Sequence, residues 1–166
     1  MKKSKQLFIV RHGKSSWDYD VEDLDRPLKE RGINDAHKMA EKMAESNMIP
    51  QLIISSHANR ALHTASIFAR QLNYPFSSLL INKIIYDGDE NDILELIREL
   101  DDSVSSVMVF GHNPMSTDLA NIFLKEKLDK LPTVGIASIS FNTDSWRTIR
   151  SENVSDELID YPKKNK

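Results

Sequence analysis

Apolar and polar positions alternate along this chain in two textures. Unbroken apolar runs at Leu7-Phe8-Ile9-Val10, Leu52-Ile53-Ile54, Leu79 to Tyr86 and Val107-Met108-Val109-Phe110 predict strands buried on both faces. Between them apolar residues recur at helical spacing: Ile33, Ala36, Ala40, Met43 and Ala44 within Leu28 to Asn47, then Ala61, Ala65, Phe68, Ala69 and Leu72 from Asn59 onward. Ile93, Leu96, Ile97 and Leu100 form a third such set, and Met115, Leu119, Ile122 and Phe123 a fourth, with Asn113 suited to cap that last helix and Pro114 to its first position. Beyond these the texture changes, and Ile136 to Phe141 and Trp146 to Ile149 read as two strands around a turn at Asn142 to Ser145.

Strands that alternate with one-faced helices predict an α/β chain, a three-layer α/β/α sandwich with a mainly parallel central sheet and late edge strands. In such sheets ligands bind beyond the carboxyl ends of the strands. Three of the four early strands end in one kind of chemistry: Arg11-His12, Ser55-Ser56 leading to Arg60 in the next helix, and Gly111-His112. The polar, acidic stretch from Ser15 to Pro27, which includes Trp17, predicts a loop over that rim.

Composition narrows the possibilities without redirecting them. With 166 residues, 40% hydrophobic and 28% charged, the chain fits one domain over 1–166, with 1–5 and 163–166 expected as flexible ends. A net charge of -3 gives no overall field for nucleic acid or an anionic membrane, so any anion site must be local. With no cysteine, disulfides, thiolate metal sites and cysteine nucleophiles are excluded. The apolar run behind the basic start has four members before Arg11, so neither a signal peptide nor a membrane span is expected, and a cytoplasmic location follows by default.

Two guanidiniums and two imidazoles at one rim suit the equatorial oxygens of a phosphoryl group, and one imidazole can attack phosphorus to give a phosphohistidine. Such a nucleophile needs one ring nitrogen free and the other held by an acceptor, often backbone.

Leu7 to Gly13, Ser55-Ser56 with Arg60 to Ala65, and Gly111-His112-Asn113-Pro114 resemble the three signatures of the histidine phosphatase superfamily, which includes the phosphoglycerate mutases. Arg11 to Asp18, Asp25-Arg26-Pro27-Leu28, Glu30-Arg31-Gly32, Leu131-Pro132-Thr133 and Trp146 resemble the small SixA-type phosphohistidine phosphatases within it, a likeness that runs from Leu7 to about Pro162. The resemblance implies a phosphoglycerate mutase-like fold, His12 as nucleophile, and Arg11, Arg60 and His112 as the phosphate pocket. It offers Arg26 as a further phosphate contact, with a salt bridge to Asp23 or Asp25 as the alternative.

Ser15 and Ser16 are candidate phosphate donors or loop caps, and Gly13 is expected to let backbone approach the nucleophile. Asp18 and His63 stand where the mutase-like branch commonly has asparagine and glutamine. The larger relatives' glutamate acid has no clear counterpart in Tyr86 to Glu90, which leaves Asp18 and Asp87 as candidate proton donors. A missing acid favours a phosphorylated imidazole over a sugar phosphate as substrate. No metal or other cofactor is expected, since two guanidiniums and a protonated His112 supply positive charge. A zinc site at His57 and His63 has the wrong spacing, and His37 is expected to face solvent. Trp17 and Tyr86 are expected mainly to pack.

The function expected is removal of phosphate from phosphohistidine on a carrier or signalling protein. The alternatives are a broad phosphomonoesterase for small metabolites and a non-catalytic module that binds phosphoprotein.

Overall fold

The computed structural model describes residues 4–162. Six strands form one sheet in the order β3-β2-β4-β1-β5-β6: β1 (Lys5–Arg11), β2 (Leu52–Ser55), β3 (Leu80–Ile81), β4 (Ser106–Gly111), β5 (Ile136–Phe141) and β6 (Val154–Asp160). The β1, β2, β3 and β4 pairings are parallel, and β5 and β6 add on antiparallel beside β1. Alternate residues of the central strands feed two separate cores. Leu7, Ile9, Val107 and Val109 face one, while Phe8, Val10, Met108 and Phe110 face the other. Because both faces are covered, these strands read as continuous apolar runs.

Helices α1 (Glu30–Glu45) and α2 (Asn59–Gln71) cover the second core, with Met39, Ala40, Ala65 and Phe68 inward. Helices α4 (Glu90–Arg98) and α5 (Met115–Phe123) cover the first. The carboxyl ends of β1, β2 and β4 therefore lie side by side, between the two helical layers.

Four local expectations are corrected. The run Leu79 to Tyr86 is not one strand. Only Leu80 and Ile81 pair with β2; Asn82 Oδ1 then accepts from Ile84 N–H and opens the short helix α3 (Ile84–Asp87), which buries Ile85. Trp146–Thr148 is a single 3-10 turn rather than a strand. The buried Trp146 ring donates from Nε1 to Val104 O at 2.7 Å, and its backbone N–H donates to Asp102 Oδ1, so this segment plugs the core and the antiparallel partner of β5 is Val154–Asp160 instead.

Asn113 does not cap α5. Its amide donates to Leu131 O and its Oδ1 accepts from Thr117, and Pro114 precedes the first helical residue. Lys5 is no loose end either: it begins β1, is buried, and its Nζ donates to the carbonyls of Asp102 and Val104. The expected flexible ends at 1–3 and 163–166 lie outside the described residues. No described helix is long and apolar enough to cross a membrane.

Candidate active site

The centre of the site is the turn that leaves β1. His12 N–H donates to Gly111 O at 3.1 Å, which continues the β1–β4 ladder one step beyond the strand. On the other side, Val134 N–H reaches the carbonyls of both Arg11 and His12, at 3.1 and 3.2 Å. Val134 holds a φ of 53°, a conformation a β-branched residue seldom adopts, so backbone strain sits next to His12.

The imidazole of His12 donates from Nδ1 to Gly13 O at 2.6 Å, which fixes the ring and leaves Nε2 as the unprotonated nitrogen. Gly13 N–H is held in turn by Thr64 Oγ1 at 3.0 Å, and the Thr64 hydroxyl donates to Arg60 O at 2.7 Å. One turn of α2 thus positions Arg60 and pins the residue that orients His12. The Gly13 backbone approaches the nucleophile as expected, and close packing adds a second requirement, since a Cβ there would meet Gly32 O of α1 at 2.9 Å.

Arg11, Arg60 and His112 converge with His12 on a cavity of about 260 Å³, also lined by Lys14, Ser15, Trp17, Arg26, Asn113 and Thr133. The His12 and His112 ring centroids are 5.2 Å apart. Arg11 donates from Nη1 to Leu131 O, and Arg60 spends both terminal nitrogens on Asp23, on its O at 2.6 Å and its Oδ2 at 2.9 Å. Ser56 Oγ accepts from Ala58 N–H and meets His112 Nε2 at 2.8 Å, which fixes the orientation of that ring.

Arg11 Nε, Arg60 Nε and His112 Nδ1 are buried and unpartnered. A buried donor without an acceptor costs about 1–3 kcal/mol. The three residues all line the cavity, and two guanidiniums there suit a ligand rich in acceptor oxygens.

The loop over the rim is fastened from beneath. Arg26 donates to Ser16 O, to Asp23 Oδ1 at 3.0 Å and to Ser15 Oγ at 2.6 Å, and its guanidinium lies 3.2 Å under the centre of the Trp17 ring. Of the two readings of Arg26, the ion pair is formed, with Asp23 rather than Asp25, while the side chain still borders the cavity. Ser15 is an acceptor for Arg26 and borders the cavity, and Ser16 Oγ caps the loop by accepting from Asp18 N–H.

Tyr86 does more than pack. Its hydroxyl donates to Asp23 Oδ2 at 2.6 Å and its ring stands edge-on to those of His57 and His112. Sequence reasoning offered Asp23 as a partner for Arg26 but missed its contacts with Arg60 and Tyr86, and it missed the role of Thr64. Only the Asp23–Arg26 spacing, three residues across a single 3-10 turn, offered a signal.

The histidine phosphatase superfamily (branch 1) model matches residues 7–79. An uncharacterised chloroplastic protein of Arabidopsis thaliana is 30% identical over 152 residues, covering 86% of this chain and 69% of that protein. A structure of the protein histidine phosphatase SixA complexed with tungstate superposes with a TM-score of 0.79 at 26% identity, covering 95% of this chain and 97% of the other. A structure assigned as a SixA phosphohistidine phosphatase from Agrobacterium tumefaciens gives 0.78 at 27%, covering 93% and 97%. The chain belongs to the histidine phosphatase superfamily. Within it the chain has the fold of the small SixA-type branch, and that placement supports a phosphatase, a hydrolase of phosphorylated substrates.

The charge states in this phosphatase follow from burial. Desolvation first, helped by the charges of Arg60, Arg11 and Arg26 and opposed by the bond to Gly13 O, lowers His12 to about 4. His112 is pushed to about 3, first by burial and then by His12 and Arg60. The expectation of a protonated His112 is therefore corrected: burial favours its neutral ring, and the positive charge belongs to the arginines.

Neither candidate proton donor is brought to the site. Asp18 and Asp87 are both exposed, and neither lines the cavity. The carboxylate that does reach the arginines, Asp23, is held well below the usual range by the Tyr86 hydroxyl first and then by Arg26 and Arg60, so it stays ionised. His63 is exposed on α2, and the partly exposed His37 meets Gln71.

Proposed function

We propose that this phosphatase removes phosphate from phosphohistidine on a protein partner through a covalent phosphohistidine at His12. The observation that carries the reading is His12 with Nδ1 fixed on Gly13 O, which leaves Nε2 as the attacking nitrogen at a cavity lined also by Arg11, Arg60 and His112. In the first step His12 Nε2 attacks phosphorus as the substrate's phosphorus–nitrogen bond breaks. Arg11, Arg60 and His112 hold the equatorial oxygens, whose charge is spread in the transition state. The positive charge that develops on the His12 ring is stabilised by the Nδ1–H bond to Gly13 O. In the second step water attacks the phosphorylated His12, giving inorganic phosphate and restoring the neutral ring.

The substrate class is supported by the absence of an acid at the cavity. An alkoxide leaving group needs a proton, yet Asp18 and Asp87 do not line the cavity and Asp23 is held ionised. A phosphorylated imidazole protonated on its other nitrogen leaves as neutral imidazole and asks nothing of the enzyme. That a SixA protein 26% identical to this chain forms a complex with tungstate, a tetrahedral oxyanion, supports an oxyanion as ligand.

The test offers a histidine-phosphorylated carrier protein beside sugar and aryl phosphates and measures phosphate release by wild type and His12→Ala. Wild type is expected to favour the phosphoprotein and the variant to be inactive. Selective action on sugar phosphates would replace this reading with the metabolite phosphatase, and binding of phosphoprotein without release would replace it with the binding module.

A further inference from the structure

Around the cationic pocket runs a strip of opposite character. From Trp17 to Glu22 apolar and acidic residues alternate: Trp17, Tyr19 and Val21 are 74%, 64% and 47% exposed, and Asp18, Asp20 and Glu22 between them are also exposed. Among the described residues these three acids form no ion pair. The strip is anchored at both feet. Ser15 bridges to Leu28, Ser16 N–H donates to Pro27 O at 2.8 Å, and Asp23 and Arg26 clamp the returning end to Arg60 and Ser15. Only Trp17, stacked on Arg26, borders the cavity; residues 18–22 lie outside it.

We propose that residues 17–22 form a docking surface for a folded protein partner whose surface around its phosphorylated histidine is basic and apolar. This rests on the phosphohistidine reading above and adds what the partner must look like. A small phosphorylated metabolite fits within about 260 Å³ and has no use for exposed apolar side chains beyond the rim. Exposed aromatics on a pre-ordered loop are the groups that carry binding energy in protein interfaces. The charge pattern sets the partner's sign. Unpaired acids at the rim repel polyanionic metabolites and draw in lysine- or arginine-rich surfaces, while the phosphoryl group alone passes to the cationic floor.

The test uses two synthetic peptides of equal length, each with one phosphorylated histidine, flanked by lysine and leucine in one and by glutamate and leucine in the other. Phosphoramidate serves as the small substrate. Wild type is compared with the triple variant Tyr19→Ser, Asp20→Lys, Glu22→Lys, none of which lines the pocket. Wild type is expected to turn over the basic peptide with kcat/KM about tenfold higher than the acidic one at low salt, a gap that narrows as salt screens the rim. The variant loses the preference and hydrolyses phosphoramidate as wild type does.

Equal use of both peptides by wild type, or an unchanged preference in the variant, overturns the docking surface and leaves the phosphohistidine reading standing. Hydrolysis of aryl phosphates with neither peptide consumed overturns that reading and the surface with it. Concentration-dependent self-association of wild type that the variant abolishes would overturn the proposal by assigning the strip to a second copy of the chain.

Discussion

Replacing Thr64 with valine removes one hydroxyl from a fully buried position and nothing else of comparable size. That hydroxyl accepts from Gly13 N–H at 3.0 Å and donates to Arg60 O at 2.7 Å. Arg60 O lies in the interior of α2, where the helical backbone still supplies a donor, so its loss is small. Gly13 N–H has no such alternative and is left buried and unpaired, at a cost of about 2 kcal/mol. For a chain of this length the melting temperature is expected to fall by roughly 4–8 °C.

Catalysis suffers separately, because Gly13 O holds His12 Nδ1 at 2.6 Å. If Gly13 shifts, the nucleophile loses its fixed angle, and kcat is expected to fall by about tenfold or more with KM little changed. Thr64→Ser keeps the hydroxyl and loses a methyl, so it is expected to cost about 1 kcal/mol of stability while retaining activity. Thermal melts and single-turnover phosphate release on both variants decide the matter. A fully active Thr64→Val, or a Thr64→Ser as inactive as the valine variant, would refute the reasoning.

Two further outcomes follow from the charge network. Asp23→Asn puts an amide N–H against one of three donors, Arg26, Arg60 or Tyr86, and is expected to lower kcat/KM on phosphoramidate about tenfold; Asp25→Asn, on the exposed side of the same turn, serves as the unaffected control. Because burial holds His12 near 4 and His112 near 3, the unfolded chain takes up two protons below pH 6.5 that the folded chain refuses. Their contribution to stability is therefore full above pH 6.5 and is lost as pH falls, at about 1.4 kcal/mol per pH unit for each histidine. Urea unfolding between pH 7 and 4.5 is expected to show a shallower decline in His112→Gln, and an equal slope would contradict the assignment.

The parts of the fold legible in the sequence were those whose residues all share one environment. β1 and β4 read as strands because alternate residues enter two cores that are both apolar, and Arg11, His12, Arg60 and His112 could be grouped because each lies at or shortly after the carboxyl end of an apolar strand, β1, β2 or β4. Short apolar stretches misled, since continuity alone does not separate strand from helix: Ile84 and Ile85 start a helical turn, and Trp146 fills the core from a 3-10 turn. β6 was invisible because, as an edge strand with Asp156, Glu157 and Asp160, it has no buried residue to mark its pattern.

Asp23 was one acid among several in an acidic loop. Its contact with Arg60 spans 37 positions and its bond to Tyr86 spans 63, so the geometry that singles it out exists only in the folded chain.

The central claim is that His12 carries the phosphoryl group. Rapid quench of wild type with a histidine-phosphorylated protein, under alkaline conditions that preserve phosphohistidine, followed by peptide mapping, tests it most directly. A phosphoryl group is expected on His12 that forms and decays within one turnover and that never appears in His12→Ala. Turnover with His12 unmodified throughout, or undiminished phosphate release by His12→Ala, would contradict it.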